Sequence, residues 1–263
     1  MITAYSPNEM PEWLFRATAY PYLAPPHSYL FDNEQAEPLA LPDDLDYGNR
    51  TPVLAIGSNR SPYQLARKYA RTGSRRHRIP VTRAWLADHD VVFATHMSGY
   101  GAIPANLMFV PGMRVRLAVT WLDPEELETM HATEIKGQSP NYCYARLDNI
   151  RLDLDQPGPE GLRRLESVTA YVSPYGFMAH EGQPLGLAAI EAEGRPHRAA
   201  TMIEALDLLR RRAGHDRALE EFIQAAVDDR APATSRQMRD RLKSLLRETA
   251  LPFAHPRVTI LQE

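Results

Sequence analysis

The chain has 263 residues, of which 44% are hydrophobic and 24% charged, and its 30 Lys+Arg against 33 Asp+Glu give a formal net charge of -3. That length supports one large domain or a core with appendages, and the composition excludes a fibrous repeat or wholesale disorder; the slightly acidic balance argues against a dedicated nucleic-acid binder. A single cysteine, Cys143, cannot close an intrachain disulfide, no apolar run nears the roughly 20 residues of a membrane span, and acids and prolines stand where a secretory signal has basic then apolar residues. A cytoplasmic protein with no membrane or nucleic-acid partner is the expectation.

Residues 1–50 hold Pro21, Pro25, Pro26, Pro38 and Pro42 among Trp13, Phe15, Tyr20, Tyr22, Tyr29 and Phe31. Proline removes backbone donors, so regular helix or central strand is not expected, while the aromatics argue for an arm packed on the core. That arm either covers the surface or forms part of a pocket wall. Residues 51–175 are expected to form a compact mixed domain. Val53–Ile56, Val81–Leu86, Asp90–Thr95, Arg114–Trp121, Tyr142–Leu154 and Val168–Val172 are rich in β-branched and aromatic residues, and Arg114–Trp121 alternates like a half-buried strand. One helix starts at Ser61-Pro62, another at Asp123-Pro124-Glu125-Glu126, where Asp123 and Glu126 make a capping box. Many strands and few helices imply a barrel-like α+β core, not a doubly wound sheet. Residues 176–263 are a glycine-rich connector followed by a helical extension, with Leu219, Phe222, Ile223, Ala226 and Val227 on one face and Met238, Leu242, Leu245 and Leu246 on another. Arg210-Arg211-Arg212 and the later arginines form a solvated face or, alternatively, a partner-docking surface.

Two places carry chemistry. At Val53-Leu-Ala-Ile-Gly-Ser-Asn59 a strand runs through Gly57, Ser58 and Asn59 into a capped helix, which gathers backbone N–H groups suited to a carboxylate or oxyanion; a plain turn with an Asx cap is the alternative. On the second helix Leu127, Met130, His131 and Glu134 share a face. If Leu127 and Met130 point into the core, Glu134 does too, and a carboxylate among apolar neighbours suits proton transfer near neutral pH. Alternatively Glu134 is solvated, or pairs with an arginine. His131 and Glu134 lack a second pair with ligand spacing, so no metal is expected. Cys143 is expected to be a small core or surface residue, and His96-Met-Ser-Gly-Tyr-Gly101 either a mobile loop near a pocket or a plain hairpin turn.

The order of these segments resembles the γ-glutamylcyclotransferase superfamily over roughly residues 53–172: a Gly-Ser-Asn loop, the Pro111-Gly112 turn before a Val-rich strand, and a glutamate at the end of the following helix. The resemblance implies that fold, a mixed barrel, and cyclisation of a small γ-glutamyl compound to 5-oxoproline with release of its amine, without a cofactor. It assigns Glu134 as catalytic acid–base and Gly57, Ser58 and Asn59 as the substrate-holding loop, with Tyr171 and either Tyr142 or Tyr144 near the pocket. Ile56 stands where the family has tyrosine and Met130-His131 where it has Leu-Asp, so one hydroxyl is lost and His131 is added as a proton carrier or leaving-group contact. A non-catalytic protein that binds a carboxylate ligand or a protein partner is the competing expectation. Dimerisation through the C-terminal helices is left open.

Overall fold

A computed structural model describes residues 10–69, 75–135 and 140–262. Five strands close a barrel: β3 (Thr51–Ala55), β4 (Arg78–Phe93), β5 (Ala105–Leu122), β6 (Cys143–Leu154) and β7 (Arg164–Val172), in the cyclic order β5-β3-β7-β6-β4 and back to β5. The pairing β3–β7 is parallel and the other four are antiparallel, so the barrel is mixed. Two earlier strands, β1 (Tyr29–Asp32) and β2 (Leu39–Ala40), extend the sheet outward from β4.

Strand alternation sorts the core into two bodies. Leu54 and Ile56 pack with Leu86, Leu117, Val119, Ala145 and Val172 in the larger cluster. Their neighbours Val53 and Ala55 face the other way, on to Leu65 and Tyr69 of α2 (Pro62–Tyr69) and Met130 of α3 (Pro124–Glu134). Helix α3 is held at its start by the expected capping box: the Asp123 side chain accepts from the backbone of Glu125 and Glu126, and Glu126 returns to the Asp123 N–H. At the far end of the chain, α4 (Met202–Arg212), α5 (Leu219–Val227) and α6 (Pro232–Glu248) pack their apolar faces on the larger cluster, and a terminal strand, Val258–Gln262, pairs with β6.

Three expectations are corrected. The N-terminal arm forms regular structure: α1 (Glu12–Thr18) and the fully buried strand β1. Pro21, Pro25 and Pro26 fall between them, so neither element lacks the backbone donors it needs. Val81–Leu86 and Asp90–Thr95 belong largely to one long strand, β4, which a bulge at Ala87–His89 bends. Pro111-Gly112 is an interior kink of β5: Gly112 has φ +82°, and its N–H donates to Asp88 Oδ1 of the facing bulge at 3.0 Å. Among the described residues no helix is long and apolar enough to cross a membrane.

Candidate active site

Because β3 and β7 run parallel, their carboxyl ends open at the same end of the barrel, where β5 and β6 begin. A cleft of about 750 Å³ lies there. Ile56, Gly57, Ser58 and Asn59 line it from the end of β3, Tyr171 from β7, Tyr142 from the start of β6 and Glu134 from the last turn of α3. Residues Ser58–Arg60 form one 3₁₀ turn, which leads into α2.

Met130 is fully buried, and the same helical face carries Glu134 to the cleft with its side chain 19% exposed. Its surroundings differ from the apolar ones expected. Lys68 of α2, itself buried, forms an ion pair with Glu134 Oε1, and Asn59 Nδ2 donates to the same oxygen at 3.1 Å. Lys68 Nζ also lies 3.0 Å from Met130 Sδ. Glu134 therefore stands as a carboxylate beside the 57–59 bend, and the cation that meets it is a lysine, not an arginine.

Tyrosines surround that charge. Burial above all raises the hydroxyl pKa values of Tyr20, Tyr69, Tyr100, Tyr142 and Tyr171, and the negative charge of Glu134 adds to each. All five stay protonated donors at neutral pH. Tyr142 donates to the Ala105 carbonyl at 2.7 Å. Tyr20 enters from the N-terminal arm, where its hydroxyl accepts from the Ala105 N–H at 2.9 Å. A Cβ on Gly57 would lie 2.0 Å from that hydroxyl, so only glycine admits it. The bend thus wraps around a tyrosine hydroxyl, which Tyr20 brings to the cleft beside Ile56.

Two of the proposed residues stand outside the cleft lining. His131 sits three residues, about 4.5 Å, back along α3 from Glu134, and its Nδ1 lies 2.8 Å from Tyr171 Oη. The Tyr144 ring packs edge-on against His131, with ring centres 4.6 Å apart, and at 5.4 Å from Tyr171. These two residues buttress Tyr171 from behind; of the two candidate tyrosines, Tyr142, just before β6, is the one that reaches the cleft. Burial lowers the His131 pKa, which favours a neutral ring. Cys143 is buried, with Sγ 3.6 Å from the Val172 carbonyl.

Sequence reasoning missed Tyr20 and Lys68. A tyrosine in a proline-rich arm has no periodic signal tying it to a strand end more than 30 residues away. Lys68 lies seven residues after Ser61, two turns along the helix that the 57–59 bend begins, a spacing that could have pointed to it. The loop containing His96 and Tyr100 joins β4 to β5 and also lines the cleft. Among the described residues no group of three or more His, Cys, Asp or Glu side chains is placed to hold a metal ion.

No protein-family model matches the chain, and no curated protein matches it. Among solved structures it is similar to a γ-glutamyl cyclotransferase, at 16% identity over 74% of this chain and 99% of that one, with a TM-score of 0.34. It is also similar to an uncharacterised protein from Homo sapiens, at 16% identity over 74% of this chain and 99% of that one, TM-score 0.32. A third is a yeast γ-glutamyl cyclotransferase specific to glutathione, at 13% identity over 77% of this chain and 98% of that one, TM-score 0.32.

Proposed function

We propose that the chain is a γ-glutamylcyclotransferase-like enzyme, in which the α-amine of a γ-glutamyl compound attacks its own γ-carbonyl. The new C–N bond closes 5-oxoproline, and the bond from the γ-carbon to the original amine nitrogen breaks. The observation that carries this reading is the meeting of the Glu134 carboxylate with Asn59 of the strand-end bend at 3.1 Å in an open cleft.

The chemistry follows from the groups present. An α-ammonium cannot attack until it loses a proton, and a carboxylate within reach accepts it, then returns it to the departing nitrogen, which is a poor leaving group as an anion. Lys68 Nζ holds the place beside Glu134 that a substrate ammonium takes. Asn59 Oδ1 is buried without a hydrogen-bond partner among the described residues, and it offers that ammonium a second acceptor. The Tyr20 hydroxyl, which accepts the Ala105 N–H, has its own proton to give to an oxyanion. Tethering nucleophile and carbonyl in one molecule supplies the effective concentration, so no protein nucleophile is needed.

One observation favours the competing reading, a non-catalytic carboxylate-binding protein: the Lys68–Glu134 ion pair can serve as a structural lock between α2 and α3. The Glu134→Gln variant separates the two. The enzyme reading predicts that wild type releases 5-oxoproline, and that Glu134→Gln loses at least about a hundredfold in rate while still binding the γ-glutamyl compound in calorimetry. Undiminished release by the variant refutes the assigned role.

A further inference from the structure

A proton relay confined to Glu134 leaves idle the charged group paired with it. Lys68 lines the cleft with a side chain only 5% exposed, and its Nζ meets Glu134 Oε1, the oxygen to which Asn59 also donates. Nζ lies 3.0 Å from Met130 Sδ as well, but a thioether is a weak acceptor. Of these two partners the carboxylate is the one that keeps the buried ammonium charged. A substrate ammonium that takes the place beside Glu134 pushes Nζ aside by like charge, and the buried stem keeps the lysine in the cleft lining.

Burial acts in opposite directions on the acids that line the cleft. It makes Tyr20, Tyr142 and Tyr171 hold their hydroxyl protons more firmly than usual, and Tyr142 commits its own to the Ala105 carbonyl. A buried ammonium instead gives up a proton more readily than in water, because burial penalises the charged form. The charge on Glu134 offsets that tendency at rest. Once Glu134 has taken a proton from the substrate's α-ammonium it is neutral, and Lys68 loses that counter-charge. The lysine thus becomes a stronger acid at the stage when the departing nitrogen needs a proton.

We propose that Lys68 is the general acid of the cyclisation, donating a proton from Nζ to the departing nitrogen as its bond to the γ-carbon breaks. This rests on the cyclisation reading and divides the proton traffic between two side chains. The α-nitrogen gives one proton to Glu134 and attacks, and the carbonyl π pair moves on to oxygen. When that pair returns, the pair of the breaking C–N bond goes to the departing nitrogen, which takes the Nζ proton. The ring nitrogen sheds its second proton to the emptied lysine amine, and the released amine takes the proton from Glu134 as it leaves. Both side chains end as they began, with 5-oxoproline and an ammonium ion as products.

The test compares two leaving groups on the full-length protein, with release of 5-oxoproline as the readout. γ-Glutamyl-ethylamide must expel a basic nitrogen that cannot leave as an anion, whereas in γ-glutamyl-4-nitroanilide the ring carries the negative charge and little acid is needed. Lys68→Arg keeps a cation beside Glu134, but a guanidinium does not release its protons. In that variant the rate on the ethylamide should fall at least about a hundredfold, and the rate on the nitroanilide by less than about threefold. A lysine that only locks α2 to α3, or only holds the substrate carboxylate, lowers both rates alike, so equal losses, or none, overturn the proposal. Lys68→Gln supports the same comparison if the arginine does not fit, because the ratio of the two rates is read within one variant. Wild type needs no substitution for a further check: across ring-substituted γ-glutamyl anilides its rate should depend only weakly on the basicity of the departing nitrogen, and a steep dependence overturns the acid role. Wild type that releases no 5-oxoproline from any of these compounds refutes the cyclisation reading and the acid role with it, whereas release with equal losses in the variants refutes the role of Lys68 alone.

Discussion

The contact between Gly57 and Tyr20 can be tested quantitatively. Replacing Gly57 by alanine places a methyl 2.0 Å from Tyr20 Oη, 3.0 Å from its Cζ and 3.3 Å from Ala105 Cβ. The hydroxyl must retreat by more than about 1 Å to reach ordinary contact, and it then abandons the Ala105 N–H. A buried donor left unpaired costs about 1–3 kcal/mol, and overpacking at a rigid strand end adds about 1–3 more. Gly57→Ala should therefore destabilise the protein by about 2–5 kcal/mol, or roughly 5–15 °C in Tm for a chain of this size. Tyr20→Phe removes the offending oxygen along with the hydrogen bond, so it carries the cost of the unpaired donor alone. In the Tyr20→Phe background Gly57→Ala then meets only the 3.0 Å ring contact, and its cost should drop to about 1 kcal/mol. Urea unfolding of the four proteins in this double-mutant cycle measures the coupling. If Gly57→Ala costs the same with and without the Tyr20 hydroxyl, the account of the bend as a socket for that group is wrong.

Arg50→Met strands the Glu126 carboxylate, which is 1% exposed and paired with Arg50, so urea unfolding should show a loss of about 3–5 kcal/mol, and adding Glu126→Gln should recover most of it. The buried rings of His89 and His96 are pushed down to about 4 and about 3, above all by burial. The unfolded chain protonates histidine near pH 6.5, so between about pH 6.5 and 4 it holds more protons than the folded one; stability is complete above that window and falls as pH falls, by up to about 1.4 kcal/mol per pH unit for each ring. The urea midpoint should drop steadily from pH 7 to pH 4.5, with a shallower slope in His89→Gln, and a level midpoint contradicts this. Tyr171→Phe removes the hydroxyl that meets His131 at 2.8 Å and should slow 5-oxoproline release by up to about tenfold with little change in Tm, since the ring keeps its packing on Tyr144.

The barrel was legible because its signals are local and repeated. Val53–Ile56 is a short apolar run that ends at Gly57, Arg114–Trp121 alternates, and the Asp123 capping box marks the start of α3 at the residue where it begins. The site was legible in part for the same reason: Gly57–Asn59 end a strand and Glu134 ends a helix, and parallel pairing of β3 with β7 brings those ends to one cleft. Tyr20 depends on long-range packing, which leaves no periodic trace, whereas Lys68 stands two turns along α2 from Ser61. His131 shares a face with Glu134 but stands most of a turn further back, where Tyr144 and Tyr171 enclose it, a difference that face-sharing alone does not reveal. In the arm it is the placement of Pro21, Pro25 and Pro26 between α1 and β1, not the density of prolines, that lets both elements form.

The most direct measurement is the stoichiometry of products when purified wild type meets a set of γ-glutamyl amines and peptides. Proton relay by Glu134 predicts 5-oxoproline and free amine appearing in equal amounts, with glutamate absent. Glutamate as the product would mean that water, not the substrate's own amine, attacks the γ-carbonyl; no turnover of any member would leave the cleft as a binding site only.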